Sequence, residues 1–184
     1  MDFTIEKLES PVRLAELDPV NTLRALGVSA GKNFCDVGAG TGIFTFAARE
    51  LTDRIFALDM DEAMLAHMRR RAREENIDGI RFIKTTASSL GMAGESCDVA
   101  LLCTVLHELT DAQPALAEIR KILKADGVLG VIEFHKARTP MGPPVERRIG
   151  EEEAVALVEG VGLRHLRTKR LGENFYLQVY GLGD

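Results

Sequence analysis

Residues 35–44 read CDVGAGTGIF: a short apolar run, three glycines at alternate positions, then the start of an amphipathic stretch. Glycine adopts backbone angles that other residues resist, and it lets the main chain approach a ligand with no Cβ in the way. A helix beginning just beyond aims its free N–H groups and positive dipole end at the same place. The spacing Gly38, Gly40, Gly42 is G-x-G-x-G, with Ala39 between the first two; the dinucleotide fingerprint would put its last small residue where Ile43 stands. A phosphate-binding P-loop would need a lysine followed by serine or threonine, and that pair is missing here. Asp36 stands two residues before the first glycine, where a carboxylate repels a pyrophosphate and attracts a cation or an ammonium group. A second acid, Asp59, closes the next apolar run, a position from which a carboxylate accepts hydrogen bonds from two ribose hydroxyls. Asp59 could instead cap the helix starting near Glu62, but Asp61 is better placed for that.

Holding those groups together requires a particular scaffold. Strand-sized apolar runs occupy residues 33–37, 54–58, 80–84, 97–102 and 128–134, and two more at 163–170 and 174–180 flank a short turn. Helical spacing fills 43–51, 62–76, 112–123 and 151–161, the third capped by Thr110 or Asp111 and closed near Gly127. A looser helical pattern over 11–26 is broken by Pro19. Strands alternating with helices make βαβ units. The expected fold is therefore α/β: a Rossmann-like, doubly wound, mostly parallel seven-stranded sheet with a C-terminal antiparallel hairpin and helices on both faces. One domain is expected over 1–184, with an N-terminal helical segment at 1–30. Residues 137–150, which hold three of the six prolines, form a loop at the carboxyl end of a buried strand, where open α/β sheets bind ligands. A plain surface connection is the alternative for that loop.

Composition excludes several classes. Of 184 residues, 46% are hydrophobic and 28% charged, so a buried core is affordable. Lysine and arginine number 23 against 28 acids, a net charge of −5, which is not the basic footprint of a nucleic-acid partner. The apolar runs fall short of the roughly 20 residues that cross a bilayer, and the first residues lack a secretory pattern, so a cytoplasmic protein with no membrane insertion is expected. Three cysteines, Cys35, Cys97 and Cys103, form no CxxC pair and read as free thiols, and no metal site is expected.

The motifs then assemble in order. Residues 36–42 (DVGAGTG), 57–60 (ALDM), Thr86-Ala87, 96–99 (SCDV) running on to 106–109 (LHEL), and 123–129 (LKADGVL) together resemble the class I S-adenosylmethionine-dependent methyltransferases over most of the chain. Within that class the resemblance is strongest to the small-molecule branch of ubiquinone/menaquinone-biosynthesis C-methyltransferases and arsenite methyltransferases. The resemblance implies S-adenosylmethionine as cofactor and S-adenosylhomocysteine as its product. It places the cofactor's methionine part on Gly38 and Gly40 near Asp36, its ribose on Asp59 and its adenine against Met60. It further implies a backbone N–H from Ala87 to the adenine and a methionine-side wall at Cys103-Thr104. Thr86 stands where many members carry an aspartate for the adenine amino group, and a hydroxyl accepts that hydrogen bond more weakly.

A sulfonium is already a good leaving group, so methyl transfer needs chiefly an aligned nucleophile and a water-free site. A base is needed only where the acceptor must lose a proton. His107 is the leading candidate; Glu133 and His135, which close a later strand, are others. His107 could equally order its turn, with Glu133 as a buried partner of some donor. Arg147 and Arg148 could meet an anionic acceptor, whereas the run Arg69-Arg70-Arg71 reads as a solvated helix face. Arsenite transfer would need clustered thiolates, and only Cys103 is suitably placed. The expected partner is a small-molecule methyl acceptor, its identity and attacking atom open, as is oligomeric state, a homodimer included. Two other readings stand beside this one: a regulatory protein that binds the cofactor or its product without turnover, and an NAD-dependent oxidoreductase.

Overall fold

A computed structural model of the chain describes residues 5–86 and 89–183. Its strands are β1 (Phe34–Val37), β2 (Ile55–Asp59), β3 (Ile80–Lys84), β4 (Cys97–Cys103), β5 (Leu123–Phe134), β6 (Leu163–Leu171) and β7 (Phe175–Leu182). They form one seven-stranded sheet in the order β3-β2-β1-β4-β5-β7-β6. Strands β1 to β5 are parallel, and β7 runs antiparallel between β5 and β6. The chain therefore winds outward in two directions from the seam between β1 and β4, and loops leaving the carboxyl ends of those two strands diverge to frame a crevice.

Helices cover both faces. On one side lie α2 (Pro11–Leu17), α3 (Pro19–Ala25) and α4 (Ile43–Ala47), whose Leu17, Leu23 and Phe44 pack with Phe34, Ile55, Leu101 and Ile132 of the sheet. Next to them α5 (Glu62–Glu74) packs Leu65, Met68 and Ala72 against Phe46 and Ala57. On the other side α6 (Gln113–Ile122) and α7 (Glu151–Glu159) pack Leu116, Ile119 and Val158 against Leu58, Leu102 and Val131. A one-turn helix, α1 (Ile5–Leu8), precedes them.

The breaks expected from sequence occur, with informative differences. Pro19 divides the N-terminal segment into two helices at a left-handed Asp18 (φ 41°). The stretch after the glycine turn is α-helical only to Ala47 and tightens to a 3₁₀ turn at Ala48–Glu50. Gly127 does not close α6: that helix ends at Ile122, and Gly127 lies inside β5. A Cβ at Gly127 would stand 2.9 Å from Lys124 O and 3.0 Å from Cys97 O, beside the register shift between β4 and β5, so this glycine serves close backbone approach. Asp111 rather than Thr110 serves the start of α6, its Oδ1 accepting from Gln113 N at 3.0 Å.

Candidate functional site

All three turn glycines have left-handed backbones, with φ of 71° at Gly38, 56° at Gly40 and 88° at Gly42. Only glycine takes such angles without strain, so the sequence fixes the turn here. At Gly38 a Cβ would also strike Val105 Cγ2 at 2.6 Å, because the loop after β4 lies over the turn. Gly40 is different: a Cβ there would meet nothing within 4 Å, so its main chain borders open space.

One carboxylate stands at this opening and a second lies beneath the turn. Asp59, at the end of β2, accepts from Gly40 N through Oδ2 at 2.7 Å and from Asp61 N through Oδ1 at 2.8 Å. Asp61 itself accepts from Ala63 N at 2.8 Å, so it caps α5 and leaves Asp59 to the crevice. Asp36 is buried beneath the turn and accepts from Thr45 Oγ1 at 2.6 Å. Burial pushes its carboxyl up to about 6, against the help of Thr45. The folded value lies above the ordinary 3.8, so the folded chain holds this proton more tightly than the unfolded one, and stability is lost as pH rises from about 4 through about 6. Asp36→Asn is therefore expected to stabilise the fold at pH 8 by up to about 3 kcal/mol, with no gain at pH 4. Urea denaturation at both pH values checks this.

The wall opposite the glycines comes from the ends of β4 and β5. Cys103 ends β4 and Thr104 follows it; Thr104 is left-handed (φ 58°) and its N–H donates to Ile132 O at 2.7 Å. Burial pushes the Cys103 thiol up to about 12, so it stands as a neutral thiol, and Cys35 and Cys97 are buried inside the sheet. No cluster of thiolates forms. Beyond Thr104 a 3₁₀ turn at Leu106–Glu108 presents His107 to β5. Glu133 of β5 is wholly buried; Oε1 accepts from His107 N at 3.2 Å and Oε2 lies 2.7 Å from His107 Nδ1. A carboxylate only accepts, so the contact orients Nδ1 as the donor, and in the neutral ring it is Nε2 that then carries the free lone pair. Nε2 stands 4.0 Å from Glu108 Oε1, a carboxyl that burial raises above its usual range. His107 therefore does order its turn, and the same contacts also fix its ring.

The remaining expected residues distribute as follows. Met60 follows Asp59 and is 55% exposed at the lip of the crevice. Thr86 is exposed beyond β3 and bridges to Ser89, while Ala87 lies outside the described residues. His135 makes no hydrogen bond to that pair among the described residues; its ring packs on Tyr176 and its Nδ1 lies 3.4 Å from Glu151 Oε1. Arg148 does not face an anionic ligand. It is buried over the Phe134 ring and donates to five loop acceptors, the carbonyls of His135, Ala137, Met141 and Pro143 and Thr139 Oγ1. Arg147 is exposed, close enough to Glu108 to oppose the rise of that carboxyl. Arg148→Ala is expected to release residues 137–150, read as faster hydrogen exchange confined to that loop and a stability loss of about 3 kcal/mol or more.

One residue escapes motif reading. Arg13 of α2 is 6% exposed and donates through Nη2 to Thr104 Oγ1 at 2.8 Å. The available signal was its place four residues before Leu17, on the buried stripe of that helix.

This arrangement of sheet, glycine turn and strand-end loops is shared with known proteins. The fold matches the crystal structure of a SAM dependent methyltransferase from Aquifex aeolicus at a TM-score of 0.89, with 23% identity and 95% of each chain covered. It also matches the [4+2]-cyclase SpnF at a TM-score of 0.77, with 19% identity, 91% of this chain and 82% of that one. At such identities the likeness is one of fold. Sequence goes further: residues 35–131 match the family described as a methyltransferase domain, and the chain belongs to that family. A curated relative, the ubiquinone/menaquinone biosynthesis C-methyltransferase UbiE of Paracoccus denitrificans (strain Pd 1222), is 33% identical over 114 residues. That match covers 60% of this chain and 46% of the relative, so the chain spans about half the length of the curated relatives it matches. Among the described residues no helix is long and apolar enough to cross a membrane.

Proposed function

We propose that this chain transfers a methyl group from S-adenosylmethionine to a small molecule, with His107 removing a proton from the acceptor. The observation that carries the reading is the open, left-handed Gly40 set between Asp59 and Asp36 at the seam of the sheet. The residues present suit that cofactor. Gly40 leaves space for a ligand against bare main chain, Asp36 supplies negative charge for an ammonium, and each Asp59 oxygen keeps a lone pair for a ribose hydroxyl. Met60 offers an exposed apolar side chain for the adenine. When bound, the cofactor supplies an electrophilic methyl on a sulfonium.

The chain's own residues would then do three things. The turn and Asp59 hold the adenosyl part in place. The loop over 137–150, tied down by Arg148 and folded back so that Met141 packs on the core, screens the acceptor side from water. His107 takes up the proton at Nε2 while Glu133 steadies the imidazolium through Nδ1. An acceptor with a hydroxyl or an acidic C–H fits this arrangement, and the relatives are ubiquinone/menaquinone biosynthesis C-methyltransferases by name. The free thiols suit a reducing cytoplasm.

Calorimetry with S-adenosylmethionine, S-adenosylhomocysteine and NAD tests the cofactor; binding of NAD alone overturns the reading. Labelled S-adenosylmethionine with a metabolite pool then tests turnover. A labelled acceptor is expected, whereas tight binding with no transfer to any acceptor would mark a regulatory binder.

A further inference from the structure

A cleft of about 310 Å³ opens at the carboxyl end of the sheet, between the start of the 137–150 loop and the tip of the closing hairpin. His135, Lys136, Arg138, Thr139, Arg170 and Glu173 line it. Three of these are cations and one is an acid, in a chain that carries five more acids than bases. Strand pairing brings them together. Arg170 of β6 lies opposite Tyr176 of β7, and the His135 ring packs on that same tyrosine. Cross-strand partners share a face, so the segment leaving β5 and the end of β6 meet over one side of β7.

The walls of the cleft are fixed. Arg148 Nη1 donates to the carbonyls of His135 and Ala137 and to Thr139 Oγ1, and that hydroxyl donates to Met141 O at 3.0 Å. Its charges are not balanced to match. Lys136 pairs with Glu153 at 2.7 Å, but Arg138 and Arg170 are exposed and make no ion pair among the described residues. Glu16, which feels the charge of Arg170, is engaged by Asn174. Arg170 Nε donates to Gly172 O at 2.9 Å, which sets the plane of its guanidinium and leaves the two Nη groups for a ligand.

Two free guanidinium groups lining one cleft repel each other, and a multiply charged anion between them turns that repulsion into attraction. A phosphate group brings nearly two negative charges and several acceptor oxygens to such forked donors, whereas a carboxylate brings one charge. We propose that this cleft binds a phosphate-bearing ligand between Arg138 and Arg170, and so ties the 137–150 loop to the hairpin tip. The site is independent of the cofactor assignment, because its lining includes none of the residues given to the adenosyl group or to proton uptake.

The test uses two probes, inorganic pyrophosphate followed by calorimetry at about 150 mM salt and vesicles containing phosphatidic acid followed by sedimentation. Thermal denaturation checks the folding of each variant. Arg138→Gln and Arg170→Gln are each expected to weaken binding by about 10-fold or more, and together to abolish it. Arg164→Gln removes a cation of β6 outside the cleft and is expected to bind within about 2-fold of wild type. The bound probe is expected to slow hydrogen exchange over residues 137–150. Arginine-dependent binding of pyrophosphate supports a soluble phosphate ligand, and arginine-dependent binding of vesicles alone supports a lipid headgroup. Binding of neither probe, with pyrophosphate raised to about 10 mM, overturns the proposal. So does binding that survives loss of both arginines, or an equal loss in Arg164→Gln.

Discussion

Asp59→Ala is expected to weaken S-adenosylmethionine binding by about 2–4 kcal/mol, roughly 30- to 1,000-fold in Kd. Two losses combine. The variant lacks the acceptor for two ribose hydroxyls, and it lacks the oxygen that draws Gly40 N into place at 2.7 Å. A left-handed glycine without that restraint samples more conformations, and ordering it again on binding costs entropy. Asp59→Asn keeps one oxygen and is expected to fall between the two. Calorimetric titration at constant salt is the measurement, and an unchanged Kd for Asp59→Ala removes this residue from the site.

The second large effect concerns the buried pair. His107→Gln is expected to lower kcat by about 10²–10⁴ while leaving cofactor affinity unaltered, since His107 stands on the acceptor side. Glu133→Gln is expected to approach the same loss. A glutamine amide places an N–H donor before Nδ1, which forces the proton onto Nε2 and removes the lone pair the reaction uses. Glu133→Asp, which restores an acceptor, is expected to recover part of kcat with KM little changed. Should His107→Gln and Glu133→Gln both turn over at the wild-type rate, the acceptor gives up no proton to this pair, and alignment alone drives transfer.

How far the sequence disclosed these features depended on the range of the forces involved. The glycine turn, Pro19 and the alternating apolar runs act through local backbone sterics and periodicity, so the β1 turn, the break between α2 and α3 and the sheet class were all legible. A doubly wound sheet was read from the same alternation, but the strand order that puts the seam between β1 and β4 was not. Gly127 misled because a glycine ending a helix and a glycine admitting a neighbouring strand look alike until the neighbour is known. Arg148 misled for a related reason: an arginine among prolines reads as a solvated cation, whereas here the loop's own carbonyls curl around it. His107 could be named as a candidate, but its pairing with Glu133 joins positions 26 residues apart and depends on the register of β4 against β5. Arg13 lay furthest from reach, since its partner Thr104 is 91 positions away.

One contact joins three distant stretches of chain. Glu16 of α2 accepts from Asn174 N at 3.0 Å and from Asn174 Nδ2 through both oxygens, and Asn174 Oδ1 in turn accepts from Met141 N at 3.0 Å. Against the rise that burial imposes, the bonds from Asn174 hold the Glu16 carboxyl below its usual range, so the clasp stays ionised at neutral pH. The amino-terminal roof, the proline-bearing flap and the tip of the closing hairpin are thereby latched at a single asparagine. If the proposed function holds, admitting a bulky acceptor would require that latch to open as one event, so loosening any one of the three stretches would loosen the other two.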